Sequence, residues 1–599
     1  MKPAPPRLTP SKVLVFALVA ILAVFVCVEL VLAFIGVKPS GHTQDPYLGF
    51  SDQSPLFMEP SPGNWGTAEN KLTWFNSQQF SMPKPEGTTR VFCLGGSTTY
   101  GRPYEDPASF PGWLREMVPA EWEIINAGGI SYASYRVAIL AEELIRYEPD
   151  FFVIYSGHNE FLEARTYGES PDLPRMRGLL AKSRIHSAMQ QVLRPPPDTT
   201  LSAEVNTRLD NSVGPEDYVR DDEQRGRIIA HYRYNLARII GIAESAGVRV
   251  VLVTPASNLG DCSPFKSDPL AEGQSPEAIL KQDPRHALAH YQRAIRLRES
   301  GDFSGASAAF LRARDHDICP LRAPSEIGEI LRGISRSHNL PLVDFESHVA
   351  EIAVDGIPGA DLFVDHVHLH VDGYRELALH ILPALGLPVP EPSELEEISR
   401  AVHGRIDRAA EGRAFRNLAK VMSWAGKFAE AAAPAARAVE LLPHDADAQY
   451  HHGVVLGELG LHQAARDAYL RTIALAPKTI LAHNNLGNSY EALNRPDDAL
   501  AAYSQAIALD SGFALGHKNA GVLLARMRRL DEAIQSLQKA RKLSPDDAEL
   551  SFNLGLIRIV REEWELAAQC FRETLAVDAE FAAAQRRLAD LQARGLIKQ

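Results

Sequence analysis

Five short apolar runs punctuate the first two-thirds of the chain: RVFCLGG at 90–96, WEIINAG at 122–128, DFFVIYSG at 150–157, VRVVLVTPASN at 248–258 and LPLVDF at 340–345. Their apolar residues run together rather than alternate, the mark of strands buried on both faces. Helical patterns follow them, as in YRVAILAEELIRY (135–147) and IIAHYRYNLARIIGIAESAG (228–247). This alternation predicts a parallel sheet covered by helices on both faces. In such sheets functional sites lie beyond the carboxyl ends of the strands.

The last third follows a different rule. Gly453, Gly487, Gly521 and Gly555 recur every 34 residues, as do Ala431, Ala465, Ala499, Ala533 and Ala567. Tyr469, Tyr503, Leu537 and Phe571 follow one helical turn after the last four of those alanines, and Pro443, Pro477 and Pro545 close three of the units. The pattern resembles the tetratricopeptide repeat (TPR), a helix-turn-helix of about 34 residues whose stacked copies share one core. It predicts an all-α solenoid over 412–594, with about five repeats and a capping helix from 581. The resemblance implies a protein partner for the repeats. A further copy is legible at 286–317, where Ala294, Gly301, Ala306, Phe310 and Ala313 take the same positions. A single unit cannot bury its faces alone, so this one is expected to dock on a neighbour. A plain inserted helical hairpin is the alternative.

Residues 13–37 carry one charge in 25 residues, enough to cross a bilayer core of about 30 Å as a helix. Lys2, Arg7 and Lys12 precede the stretch, which predicts residues 1–12 in the cytoplasm, a single-pass anchor in the inner (cytoplasmic) membrane and the bulk of the chain outside the cytoplasm, periplasmic in a two-membrane cell. A cleaved signal peptide is the rival reading. Glu29 is costly inside a membrane and is read either as pairing with another helix or, since it lies towards the exit side of the stretch, as reaching the interface. Residues 38–87 are a linker or pre-domain segment.

Composition narrows the classes of function. A chain of 599 residues, 45% apolar and 23% charged, can bury more than one core. Its formal net charge of -13 argues against nucleic acid as a partner. Five cysteines without CxxC spacing give no structural zinc motif, and no cofactor is expected. Cys262 and Cys319 bracket the inserted hairpin, as a disulfide at its neck or as two unrelated thiols.

The strand ends concentrate the chemistry. Gly95-Gly96-Ser97 ends the first run, Asn126-Ala127-Gly128 the second and Gly157-His158-Asn159-Glu160 the third, while DLFVDHVHLHVDGY (361–374) places Asp365 three residues before His368. In this order the motifs resemble the SGNH hydrolases, the GDSL-type esterase and lipase superfamily, over residues 88–390. The resemblance implies a flavodoxin-like α/β domain in which Ser97 is the nucleophile, His368 its general base and Asp365 the residue that orients the imidazole. It assigns the oxyanion hole to the backbone N–H groups of Ser97 and Gly128 and the side chain of Asn159. The implied substrate is an ester, and the predicted extracytoplasmic location favours an O-acyl or acetyl group on an envelope or exported polysaccharide, or a lipid. O-acyl transfer is a second outcome of the same chemistry, and a TPR scaffold with little or no turnover is the alternative class.

Two departures stand out: GGS replaces the family's GDS, and GHNE replaces GxND. Neither removes a proton-transfer residue. Taken singly, Ser97 is an ordinary turn residue, Asn159 a helix cap and Asp365 a loop acceptor. His366, His368 and His370 would share one face of a strand and suggest a metal, but the resemblance puts them on a loop, so no metal ligand is assigned. His158 is read as pocket lining, and the region from about 165 to 225 as a cover over the site.

Overall fold

The computed structural model of the chain describes residues 23–34, 55–162, 183–185, 215, 218–270 and 273–598. It divides into Met1–Ile406 and Asp407–Gln599. Residues 23–34 are helical, and most of their large apolar side chains are exposed, Phe34 to 93%. The expected span over 13–37 therefore lies partly outside the described residues. Among the described residues no helix is long and apolar enough to cross a membrane.

The segment before the first predicted strand is structured. Strands β1 (Phe57–Ser61), β2 (Asn64–Thr67) and β3 (Gln79–Ser81) form an antiparallel sheet. Phe57 and Phe80 meet edge to face with centroids 5.0 Å apart and join the core under Phe92. Arg90 is fully buried beside them. Its guanidinium donates to Glu123 at 2.5 Å and to the carbonyls of Ser81 and Tyr147, both at 2.7 Å, so its charge is paired and its donors are used.

The five predicted runs form β4 (Thr89–Gly95), β5 (Trp122–Gly128), β6 (Phe151–Tyr155), β7 (Arg249–Val253) and the short β8 (Leu342–Val343). All pair in parallel, in the order β5-β4-β6-β7-β8. The period of two sends Phe92, Leu94, Phe152 and Leu252 to one face. There they meet α3 (Ser134–Leu144), α4 (Asp222–Ser245) and α7 (Ser325–His338). Val91, Cys93, Val153 and Val251 go to the other face, against α2 (Phe110–Met117) and α9 (Val371–Leu385). Burial on both faces explains why the runs do not alternate. The chain leaves β4 for β5 on one side and crosses back to β6 on the other, so β4 and β6 flank the point where the winding reverses. Such a reversal opens a crevice at the carboxyl ends.

Helix α10 (Pro392–Gly404) also belongs to this first unit, beyond the expected end at 390. Val402 is buried in its core, and Arg405 pairs with Glu116 at 2.5 Å. The inserted segment is a helical hairpin of α5 (Ala287–Glu299) and α6 (Phe303–Asp315). Ala294 and Phe310 pack with Leu259 and Ile357, and Tyr291 donates to the carbonyl of Gly260 at 3.0 Å. The hairpin thus docks within its own unit, beneath the segments that lead to residue 365. Cys262 and Cys319 are buried there as thiols, with no disulfide between them among the described residues.

The second unit is a series of helix pairs: Arg408–Trp424 with Phe428–Leu441, Ala446–Glu458 with His462–Leu475, Ile480–Ala492 with Pro496–Leu509, Ala514–Arg526 with Leu530–Leu543, and Ala548–Val560 with Trp564–Val577. Ala582–Ala593 closes it. The repeated glycine has a steric cause, since a Cβ on Gly487 would lie 2.4 Å from the Tyr503 ring.

A second period lies in the turns: Gly426, Gly460, Asn494, Arg528 and Glu562 all have positive φ. A left-handed conformation costs a side chain about 1–2 kcal/mol, while glycine forfeits about 0.4–1 kcal/mol through the unfolded chain. Arg528→Gly and Glu562→Gly should therefore each raise stability by about 0.5–1 kcal/mol, read as a higher urea midpoint at unchanged slope. A lowered midpoint would show that these turns carry no such strain.

Candidate functional site

The end of β4 admits no side chain at two consecutive positions. A Cβ on Gly95 would lie 2.0 Å from the Tyr155 carbonyl oxygen, and one on Gly96 would lie 2.2 Å from Asn159 Nδ2. The glycine pair lets the backbone pass between the neighbouring strand end and Asn159. Gly96 then caps α1 (Ser97–Tyr100), which puts Ser97 at the first helical position, where a backbone N–H has no partner within the helix.

The segment after α8 (Phe345–Ile352) supplies the residues opposite Ser97. Between Phe363 and Leu369 the chain folds back on itself, with the Val364 N–H donating to the His368 carbonyl at 2.8 Å. Asp365 Oδ1 accepts the backbone N–H groups of Val367 at 2.8 Å and His368 at 2.7 Å. Asp365 Oδ2 is left facing His368 Nδ1 at 2.5 Å, and His368 Nε2 lies 2.7 Å from Ser97 Oγ. A carboxylate at Nδ1 selects the tautomer with its proton there, which leaves the Nε2 lone pair to accept from the Ser97 hydroxyl. Burial alone would raise the pKa of Asp365. His368 and His366 beside it, with the hydrogen bonds from His368, outweigh burial and hold it well below the usual carboxylate range.

Asn159 donates through Nδ2 to the Tyr132 carbonyl at 3.1 Å, which leaves a second N–H on the same nitrogen beside Gly96. Gly128 ends β5. Its N–H is donated to Asn126 Oδ1 at 3.0 Å, so it is already engaged. Asn126 is held in turn by Asp106 Oδ1 at 2.7 Å, and Asp106 pairs with Arg115 at 2.5 Å. Asp106 and Arg115 carry no motif that marks them as supports; only Asn126, within NAGG, is conspicuous in sequence. Glu160 has a structural use: its two carboxylate oxygens accept the Ser134 N–H and hydroxyl, both at 2.8 Å, at the start of α3.

The three alternating histidines make different contacts, although His366 Nδ1 also lies 3.6 Å from Asp365 Oδ1. His366 packs edge-on to Phe265 at 5.1 Å, His370 Nε2 meets the Ala360 carbonyl at 3.0 Å, and only His368 reaches Ser97. His158 is buried, with Nδ1 accepting the Ala323 N–H at 3.2 Å. Burial, then the proximity of His366 and His368, pushes its pKa well below the usual imidazole value. A cavity of about 100 Å³ lined by Phe161, Tyr218, Arg225 and His316 lies beside this loop and includes none of Ser97, Asp365 or His368. Most of the expected cover, 165–225, lies outside the described residues.

For the second unit, helix pairing and turn period agree with a family profile described as tetratricopeptide repeat, which matches residues 425–479 and 484–548. The C-terminal unit carries TPR repeats. Similar solved structures include YrrB, "a TPR protein with an unusual peptide-binding site", 21% identical over 32% of this chain and 96% of that one, with a TM-score of 0.28. A thermophilic TPR protein of Thermus thermophilus, TTC0263, is 20% identical over 30% of this chain and 99% of its own, with a TM-score of 0.27. PilF of Pseudomonas aeruginosa is 19% identical over 32% and 88%, with a TM-score of 0.29. No curated protein matches the chain significantly.

Proposed function

We propose that the first unit is a serine hydrolase of the SGNH type and that the TPR array recruits a protein partner to it. One observation carries the catalytic reading: Ser97 Oγ, His368 and Asp365 form a continuous hydrogen-bonded chain at 2.7 Å and 2.5 Å, at the carboxyl end of β4. Counted from β4, the strand order is 2-1-3-4-5, the flavodoxin-like order whose ligand crevice opens between its first and third strands. Here those strands are β4 and β6, which deliver Ser97 and Asn159.

In this reading His368 takes the Ser97 proton as Oγ attacks the ester carbonyl, and Asp365 stabilises the imidazolium. The Ser97 N–H and the Asn159 amide receive the developing oxyanion; Gly128 joins them only if its N–H leaves Asn126. His368 returns the proton to the departing alkoxide. Water then releases the acyl group, whereas a sugar hydroxyl in its place makes the enzyme an acyltransferase. Anchoring through 13–37 would put an O-acylated envelope polysaccharide or a lipid within reach. The exposed apolar side chains of 23–34 support membrane contact.

The direct test is a fluorophosphonate probe, applied to the chain after residue 40 alongside hydrolysis of p-nitrophenyl acetate. Labelling on Ser97 with turnover supports the reading. Folded protein that neither labels nor turns over would leave a TPR scaffold without chemistry.

The array is expected to be dispensable for the chemical step. A cut after Ile406 keeps α10 and its buried Val402 in the first unit, which a cut at 395 would not. The product should hydrolyse the small ester at about the rate of the full chain while losing partner association in pull-downs. Loss of turnover in a truncated protein of native circular dichroism would refute this division of labour.

A further inference from the structure

Helices α8 and α9 flank the loop that carries Asp365 and His368, and they bring together three residues with no part in the chemistry described above. His348 comes from α8; Glu376 and His380, four residues apart and so on one face of the helix, come from α9. One ligand-type atom from each lies within 4.8 Å of the other two. The imidazoles of His348 and His380 are in contact, with centroids 3.5 Å apart.

Several details fit a metal better than a chance meeting. His348 Nε2 is enclosed and has no hydrogen-bond partner, with Glu376 Oε2 4.0 Å away. A buried imidazole nitrogen left without a partner is costly. His380 Nδ1 meets the Glu376 backbone carbonyl at 2.8 Å, so Nδ1 carries the proton and Nε2 offers its lone pair. A ring N–H donated to a backbone carbonyl is one of the ways metal-bound histidines are held. Glu376 Oε1 accepts from Arg375 at 3.2 Å, which leaves Oε2 towards His348.

We propose that His348, Glu376 and His380 form a site for a divalent transition metal of the zinc class, which clips α8 to α9. Two imidazoles and one carboxylate suit such an ion better than calcium or magnesium, which prefer all-oxygen shells. Three protein ligands leave one position of a tetrahedral ion for water. Bonds of about 2.0–2.2 Å require ligand atoms about 3.3–3.5 Å apart, so the three side chains draw together on binding, by rotation of Glu376 and His380 at the helix surface. The clip joins residues 28 positions apart in sequence and closes the loop from 353 to 370, so it stabilises the native arrangement of that loop. Metal binding itself does not depend on the hydrolase reading.

The test uses the full chain, stripped with chelator and titrated with zinc, and with cobalt(II) for its visible spectrum. The site predicts one equivalent bound and a melting temperature that rises with free zinc. His348→Ala, His380→Ala and Glu376→Gln should each weaken binding by at least about tenfold. The last two alter side chains at the helix surface and should keep native circular dichroism in the metal-free state, which separates loss of a ligand from loss of fold. Failure of the wild type to bind one equivalent, or binding unchanged in the folded His380→Ala and Glu376→Gln variants, would overturn the site.

Discussion

Ser97→Ala is expected to lower kcat for p-nitrophenyl acetate by about ten-thousandfold or more, with the fold unchanged. Loss of a serine nucleophile removes the covalent route and leaves only what oxyanion donors and binding supply. Ser97 occupies the first position of a short helix, and the contacts that thread β4 past Tyr155 and Asn159 belong to Gly95 and Gly96. Alanine therefore deletes the hydroxyl without disturbing the backbone that presents it. His368→Ala should be comparably severe because the same proton is then left without an acceptor. His366→Ala and His370→Ala should be milder, since their side chains meet Phe265 and the Ala360 carbonyl rather than Ser97. Turnover retained in Ser97→Ala, with fluorophosphonate label on another residue, would end the assignment. Equal losses from all three histidine variants, restored by added metal, would move the chemistry to a metal centre.

What was legible in the sequence follows a simple physical division. The five strands could be read because burial on both faces leaves unbroken apolar runs, and the repeats because each copy solves the same packing problem, glycine against the ring sixteen residues later, as in Gly487 and Tyr503. Ser97, Asp365 and His368 stood out through local motifs that the fold brings together across 271 positions. Features set by partners distant in sequence were not legible. β1 to β3 have short, mixed patterns whose burial comes from Phe92 and Tyr147 elsewhere. The use of the Gly128 N–H depends on Asn126, which depends on Asp106 and Arg115, and no spacing rule links those residues. α10 lacks any strand-end or repeat signature and reveals its allegiance through the burial of Val402 and the pairing of Arg405 with Glu116. The same is true of His348 with Glu376 and His380, two helices of which only one carries a recognisable spacing.

Asp365→Asn is the more discriminating test, because it keeps the shape of the site and changes only the direction of one proton. In the wild type, Oδ1 is occupied by the Val367 and His368 backbone N–H groups, so Oδ2 must be the atom that meets His368 Nδ1. In the amide, the oxygen remains the better partner for those two N–H groups, which turns the NH2 towards Nδ1. That nitrogen must then accept, the imidazole proton moves to Nε2, and Nε2 can only donate to Ser97. The base is lost although every residue stays in place, and a change of this kind costs about 10^4 in kcat. The carboxylate also links the site to stability. Its pKa in the folded chain is depressed by His368 and His366 despite burial, so its contribution is complete above the ordinary carboxylate value of about 3.9 and is lost as pH falls through the lowered folded value. Asp365→Asn should therefore melt below the wild type at neutral pH, and the gap should narrow under strongly acid conditions. A variant that keeps more than about a tenth of wild-type kcat at neutral pH would show that Asp365 does not set the tautomer of His368, and Ser97 would then need another base.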